Sequence, residues 1–249
     1  MNELRTAAWK GLVGLKRLLG LFVLSIDRNA VAKTYLSGSG IEVGALHNPL
    51  AVPEQARVRY VDRMPVEELR RQYPELNDKP LVHVDIVDDG ERLDTVQDAS
   101  QDFVIANHFL EHAQDPVRAF LSMMRVLKSG GVLYLALPDK RFTFDASRQS
   151  TTVDHVMADY REGAGRSRAT HYAEWAAKVS RLEGSAAAAE AERLMAMDYS
   201  IHFHAWEQKD MLHLLLYLQT VQPFDLEMML KNGEECIFIL RKQDGEIQQ

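Results

Sequence analysis

Residues 102–138 read DFVIANHFLEHAQDPVRAFLSMMRVLKSGGVLYLALP, and the order of elements in this stretch decides the fold. Asp102-Phe103-Val104-Ile105-Ala106 is a short apolar run of the kind found in a buried strand. Asp115 is a good helix N-cap and Pro116 suits the first helical position. Val117, Phe120, Leu121, Met124 and Leu127 then mark one helical face, and Ser129-Gly130-Gly131 ends it. Val132 to Leu137 is a second apolar run, stopped by Pro138. A strand, a helix and a strand in this order predict a parallel sheet with helices on its faces.

The same rhythm continues outward. Upstream lie Ile41-Glu42-Val43-Gly44, Val58-Arg59-Tyr60-Val61-Asp62 and Leu81-Val82-His83-Val84-Asp85-Ile86, three apolar runs each carrying a glycine or an acid at or near its end. Downstream, residues 145–200 are rich in Ala, Arg, Glu and His and contain no strand-like run, so they read as a helical insertion. A helix is expected over Glu207–Gln219, followed by strands over Phe224–Leu230 and Cys236–Arg241. Asn232-Gly233 between them predicts an antiparallel hairpin. The fold expected is α/β, a Rossmann-like seven-strand, mostly parallel sheet with a C-terminal antiparallel hairpin and a helical insertion. Its organisation is an N-terminal amphipathic arm (1–36), a core (37–144 and 201–243) and a helical lid (145–200).

Composition narrows the function. Of 249 residues, 46% are hydrophobic and 26% charged, an ordinary globular balance that excludes disordered and disulfide-scaffold classes. One cysteine, Cys236, cannot make an internal disulfide and suits a reducing, cytoplasmic compartment. A formal charge of −7 argues against nucleic acid as a partner. Residues 1–35 nevertheless carry +4 and the remainder −11. With Leu4, Ala8, Leu12, Leu15, Leu19 and Phe22 near helical spacing, the arm reads as a helix packed on the body or resting on the inner face of an anionic membrane. Its apolar run Leu18–Ile26 is too short to span a bilayer.

In an open α/β sheet, ligands bind beyond the carboxyl ends of the strands, which singles out Gly44, Asp62, Asp85, Asn107 and Pro138-Asp139. An acid after the second strand suits ribose hydroxyls, and one after the third suits an adenine amino group. Glu42, an acid inside a buried strand, needs a partner, either a ligand ammonium or backbone amides. The runs Ile41–Gly44, Val61-Asp62, Asp85-Ile86 and Asp102–Val104 resemble those of class I S-adenosylmethionine-dependent methyltransferases. So does the continuation from Asn107-His108-Phe109-Leu110-Glu111-His112 through Asp115-Pro116 to Gly130-Gly131. Gly44-Ala45-Leu46-His47-Asn48-Pro49-Leu50 further resembles a bacterial subgroup associated with polysaccharide assembly.

The resemblance implies S-adenosyl-L-methionine as cofactor, with Glu42 and Gly44 on its methionine side. It sets Asp62 at the ribose, Asp85 and Ile86 at the adenine, and Asn107 and His108 along the end of the fourth strand. One departure is plain: the Gly-x-Gly usual after the first strand is absent. Only thirteen residues, Ala45–Arg57, with two prolines among them, follow in place of a full helix. A dinucleotide oxidoreductase fares worse, because its Gly-x-Gly-x-x-Gly is missing altogether.

Three histidines are candidates for catalysis. His112 is expected beside the acceptor as general base, pointing in the same direction as His108 one turn earlier. His202 and His204 alternate on one side of an extended segment and could bind substrate, or a metal together with Asp139. His108-Phe109-Leu110-Glu111-His112 also fits the H-x-x-E-H of some zinc peptidases, but such motifs lie inside long helices and this one begins at a strand end. No metal is assigned. Tyr160, Arg161, His171, Tyr172 and Trp175 in the insertion could line a carbohydrate cleft. The reading is a methyltransferase that O-methylates a sugar or glycan hydroxyl. A quinone, lipid or other small-molecule acceptor, and a non-catalytic binding protein of the same fold, are the alternatives.

Overall fold

The computed structural model describes residues 26–245. Helix α1 (Arg28–Tyr35), capped by the Asp27 carboxylate on the Ala30 amide, leads into strand β1 (Gly38–Val43). Then follow β2 (Ala56–Asp62), α2 (Val66–Gln72), β3 (Ile86–Val87), β4 (Gln101–Asn107), α3 (Pro116–Val126) and β5 (Leu127–Pro138). The insertion folds as α4 (Val153–Glu162), α5 (Gly165–Lys178) and α6 (Gly184–Ala196). The chain closes with α7 (Gln208–Gln219), β6 (Phe224–Asn232) and β7 (Glu235–Lys242). The seven-stranded sheet has the order β3-β2-β1-β4-β5-β7-β6. Strands β1 to β5 pair in parallel, and β7 runs antiparallel to both β5 and β6. Asn232 opposite Glu235, with Gly233 at φ +61°, makes the expected hairpin.

The two faces of the sheet are covered unequally. On one, Ile41, Val104, Leu133, Leu135 and Phe238 pack against α3 through Phe120 and Met123, and against α7 through Met211 and Leu215. On the other, Phe103, Ile105, Tyr134 and Ile239 meet Val31, Ala32 and Leu36 of the α1 segment. The last residues of the predicted arm are therefore built into the core, while residues 1–25 lie outside the described residues. Arg28 reinforces the attachment with an ion pair to Glu235 on β7. No described helix is long and apolar enough to cross a membrane.

Three expectations change. The strand expected over 81–86 shrinks to Ile86–Val87, because the Asp85 carboxylate accepts from the Tyr60 amide at 2.8 Å and supplants a ladder bond. The helix expected to include Leu127 ends one residue earlier, and β5 begins there without a connecting loop. No helix forms from His108: only a 3-10 turn, Leu110–His112, precedes α3. His108 takes a left-handed backbone at φ +51°, so His108 and His112 diverge instead of sharing a face.

Candidate active site

The carboxyl ends of the parallel strands meet along one edge of the sheet. At the end of β1, Glu42 is buried and accepts from the Leu50 amide with both oxygens, at 3.0 and 3.1 Å. Burial pushes its carboxyl up to about 7 against the opposing pull of that amide and of Asn107. Of the two partners expected for Glu42, the backbone amide is the one present. The consequence is a fixed turn where a Gly-x-Gly loop would stand. Asn48 donates to the Ala45 carbonyl at 3.0 Å and Val82 to that of Leu46 at 2.8 Å. Gly44 has φ +68°, and a Cβ added there would meet only the Phe109 ring, at 3.4 Å. Gly90, unremarked in the sequence, is tighter: a Cβ would lie 2.6 Å from both Phe109 and Val43.

Asp62 closes β2 with Oδ1 on the Arg63 amide at 2.8 Å, and burial pushes its carboxyl up to about 6. Arg63 turns towards the lid, donating to Asp198 Oδ2 at 3.0 Å and to the Tyr73 hydroxyl at 2.7 Å. Asp85 is exposed and holds the Tyr60 amide, so one of its oxygens serves the fold; Ile86 beside it is half-buried and pairs with Val61. Asn107 closes β4 with a buried Oδ1 that has no partner. His108, one residue on, places Nε2 2.8 Å from Glu235 Oε2 at the start of β7, opposite the end of β5. Burial lowers its pKa, but the Glu235 hydrogen bond and the charges of Glu111 and Glu235 outweigh that and raise it overall.

The three candidate catalytic histidines separate into two places. His112 and His202 come together, with ring centroids 4.5 Å apart and edge to face. His112 Nδ1 lies 2.9 Å from the Ile201 carbonyl and 3.0 Å from Ser200 Oγ. His202 Nδ1 lies 2.6 Å from Asp145 Oδ2. A carbonyl and a carboxylate only accept, so each Nδ1 carries its proton. Burial, then the charge of His202, pushes the His112 pKa down to about 3. Burial would raise the Asp145 carboxyl, but the His202 hydrogen bond and the Arg148 ion pair hold it below the usual range. Glu111 adjoins the pair, 1% exposed, with neither carboxylate oxygen bonded and its pKa pushed up by burial.

His204 is elsewhere. It is 0% exposed, stacked on Trp206 at 5.4 Å, and grouped with His171 at 5.2 Å and His155 at 5.9 Å. Burial lowers the pKa of His204 and takes that of His171 down to about 4. Asp139, expected near both, instead holds Arg141 through Oδ1 at 2.9 Å. His204 thus falls in a different group from the His112–His202 pair, its ring buried against Trp206. Two groups have ligand-capable atoms within 4.8 Å of one another: Glu111, His112 and His202, and separately His155, His171 and His204.

Of the aromatic residues expected to line a cleft, Trp175 does approach the pair, 5.8 Å from His202. Tyr172 is fully buried with its hydroxyl on the Tyr199 carbonyl, a bond within the lid, while Arg161 reaches the Tyr217 hydroxyl of α7 and ties the lid to the core. Phe144, unmarked by the sequence pattern, is half exposed and lies 4.8 Å from His202. It also lines a cavity of about 380 Å³ with Thr143, Ser147, Lys178 and Arg181.

Residues 37–135, running from the start of β1 into β5, match a family model described as a methyltransferase domain. The match is confined to that segment, less than half of the chain, and the cofactor it implies is S-adenosylmethionine. Among solved structures, the chain is similar to a Rhodobacter sphaeroides protein described as a Zn-dependent alcohol dehydrogenase. The two are 14% identical over 88% of this chain and 91% of that one, with a TM-score of 0.52. It is also similar to a methyltransferase from Bacillus halodurans C-125, at 16% identity over 86% of this chain and 96% of that one, with a TM-score of 0.48. At 14% identity the likeness to the Rhodobacter sphaeroides protein is one of fold alone. No curated protein sequence matches the chain.

Proposed function

We propose that this protein is an S-adenosylmethionine-dependent O-methyltransferase acting on a sugar or glycan hydroxyl in the cytoplasm. The observation that carries the reading is the His112–His202 pair beyond β4, with Asp145 behind His202 and two aromatic faces beside it. The orphaned Asn107 Oδ1, the half-buried Asp62 and the open Gly44 turn suit an adenosine-bearing cation. Asp62 would hold the ribose, Ile86 would border the adenine, and Asn107 with the Glu42–Gly44 turn would hold the methionine side. Once bound, the cofactor supplies an electrophilic sulfonium methyl.

The remaining chemistry belongs to the chain. An alcohol is a weak nucleophile at neutral pH, so its proton needs an acceptor. His202 is better suited than His112, because Asp145 fixes its tautomer and steadies the imidazolium that forms. His112, kept neutral, limits how the His202 ring can turn. Phe144 and Trp175 offer flat apolar surface of the kind that lines small-molecule sites. Their role is to hold the acceptor oxygen in line with the methyl carbon, where orientation supplies much of the rate.

Calorimetric titration with S-adenosylmethionine tests the cofactor, and transfer of a labelled methyl group to panels of glycans, lipids and quinones tests the acceptor. Failure to bind the cofactor sinks the enzyme reading; label entering only quinones or lipids moves the acceptor class. The +4 charge of residues 1–35 supports contact with an anionic membrane surface. Sedimentation with anionic vesicles tests that contact, and an intact chain left in the supernatant removes it.

A further inference from the structure

The second histidine group plays no part in the chemistry proposed above. His155 comes from α4, His171 from α5 and His204 from the segment returning to α7, three stretches distant in sequence. His155 Nε2 and His171 Nε2 lie 3.1 Å apart. Two ligands of a tetrahedral zinc ion, each about 2.0–2.1 Å from the metal, stand roughly 3.3 Å apart, so the spacing is already that of a ligand pair. His204 is fully buried and neither of its ring nitrogens makes a well-formed hydrogen bond, the Gln114 backbone only pulling its pKa upward against burial. Buried polar groups without well-formed partners are rare in folded proteins, and this ring lies against the His155 and His171 rings.

Asp159, 0% exposed, brings Oδ2 to 3.1 Å from His155 Nε2, and Ser167 Oγ fixes that carboxylate at 2.9 Å. That carboxylate, which also pairs with Arg166 through Oδ1 at 3.3 Å, puts a negative charge beside His155 and His171. The His155 side chain is 34% exposed, which opens a route for an ion from solvent.

We propose that His155, His171 and His204 bind a divalent transition-metal ion, zinc by the chemistry of its ligands, with Asp159 supplying the adjoining charge. Nitrogen ligands at this spacing suit zinc and do not suit magnesium or calcium, which take oxygen. The ion ties two lid helices to the strand-like segment that carries His202, so its work is structural. The site is independent of the cofactor and of the methyl acceptor.

The test is elemental analysis of the purified full-length protein, followed by thermal unfolding before and after chelation. A single zinc equivalent is expected, with a lower Tm after chelation that zinc restores and magnesium does not. Cobalt(II) in place of zinc should give the visible absorption of a tetrahedral nitrogen site. His204→Ala should abolish retention of the metal. Should that variant fail to fold, the half-exposed His155→Gln reads the same loss with less disturbance. Metal-free protein whose Tm ignores both chelator and zinc overturns the proposal. So does zinc that survives His155→Gln but is lost in His202→Asn, which would put the ion at Glu111, His112 and His202.

Discussion

Two groups of histidines lie between the lid and the core, and they differ in what their ring nitrogens face. In the His112–His202 pair each Nδ1 has an acceptor, a carbonyl or a carboxylate, that fixes the tautomer. In the His155–His171–His204 group two Nε2 atoms face each other and the third ring makes no well-formed hydrogen bond. Anchored imidazoles with one free basic nitrogen are equipped to move a proton. Imidazoles turned on one another leave a space that suits a cation. The difference lies in partners, not in residue type.

The largest effect expected from this contrast is on turnover. His202→Asn and Asp145→Asn should each lower kcat by roughly 10²–10⁴-fold, the range for loss of a general base, with cofactor affinity unchanged. His204→Asn should instead lower Tm and leave kcat per folded molecule within a few-fold. Measured side by side, a collapse of kcat in His204→Asn or none in His202→Asn erases the distinction.

A smaller effect is expected at the cofactor edge. Asp62→Ala should weaken S-adenosylmethionine binding by roughly 1–3 kcal/mol, the cost of hydrogen-bonding groups left unsatisfied, with no effect on retained zinc. Unchanged affinity by calorimetry would remove Asp62 from the site. The Gly90→Ala Cβ would press on Phe109 and Val43 at 2.6 Å, and overpacking of this kind costs about 1–3 kcal/mol in denaturant unfolding. Wild-type stability in that variant would show that the Phe109 ring gives way freely.

The smallest effect concerns His108, the histidine belonging to neither group. Burial raises the carboxyl of its partner Glu235, but hydrogen bonds from His108, Arg28 and Asn232 bring it down to about 2. A depressed folded pKa contributes stability that is present above the ordinary value of 4.5 and lost as pH falls towards 2. Glu235→Gln should therefore flatten the loss of stability across that acid window while lowering stability at neutral pH. An unchanged acid slope would show that other carboxylates control it.

What could be read from the sequence was local. The Asp102–Pro138 stretch carries its strand, cap, helix and strand in order, and the hairpin follows from Asn232-Gly233. The thirteen residues Ala45–Arg57 leave room for no full helix, and none forms between β1 and β2. The short helix α2 was missed, because Val66–Gln72 buries only Leu69 and has no apolar stripe. The edge strand was overextended because Leu81–Val84 is apolar enough to be a strand, while a side-chain bond from Asp85 decides the pairing. The histidine groups were beyond local pattern. Alternation put His202 and His204 on one side, yet their partners come from Asp145, His155 and His171, which topology alone brings close. Glu235 and Phe144 gave no signal either, since their neighbours are His108 and His202 from distant stretches.

The turn after α6 is fastened to the far edge of the sheet by Asp198 on Arg63, by the Met197 carbonyl on Gln72 at 2.8 Å and by the Tyr199 hydroxyl on Glu75 at 2.6 Å. Arg63 follows directly on Asp62, so this latch closes beside the carboxylate that would receive the ribose. Its consequence is one of timing. An enzyme fastened there exchanges spent nucleoside no faster than the latch opens, and opening steps of this kind set the pace of many well-adapted catalysts.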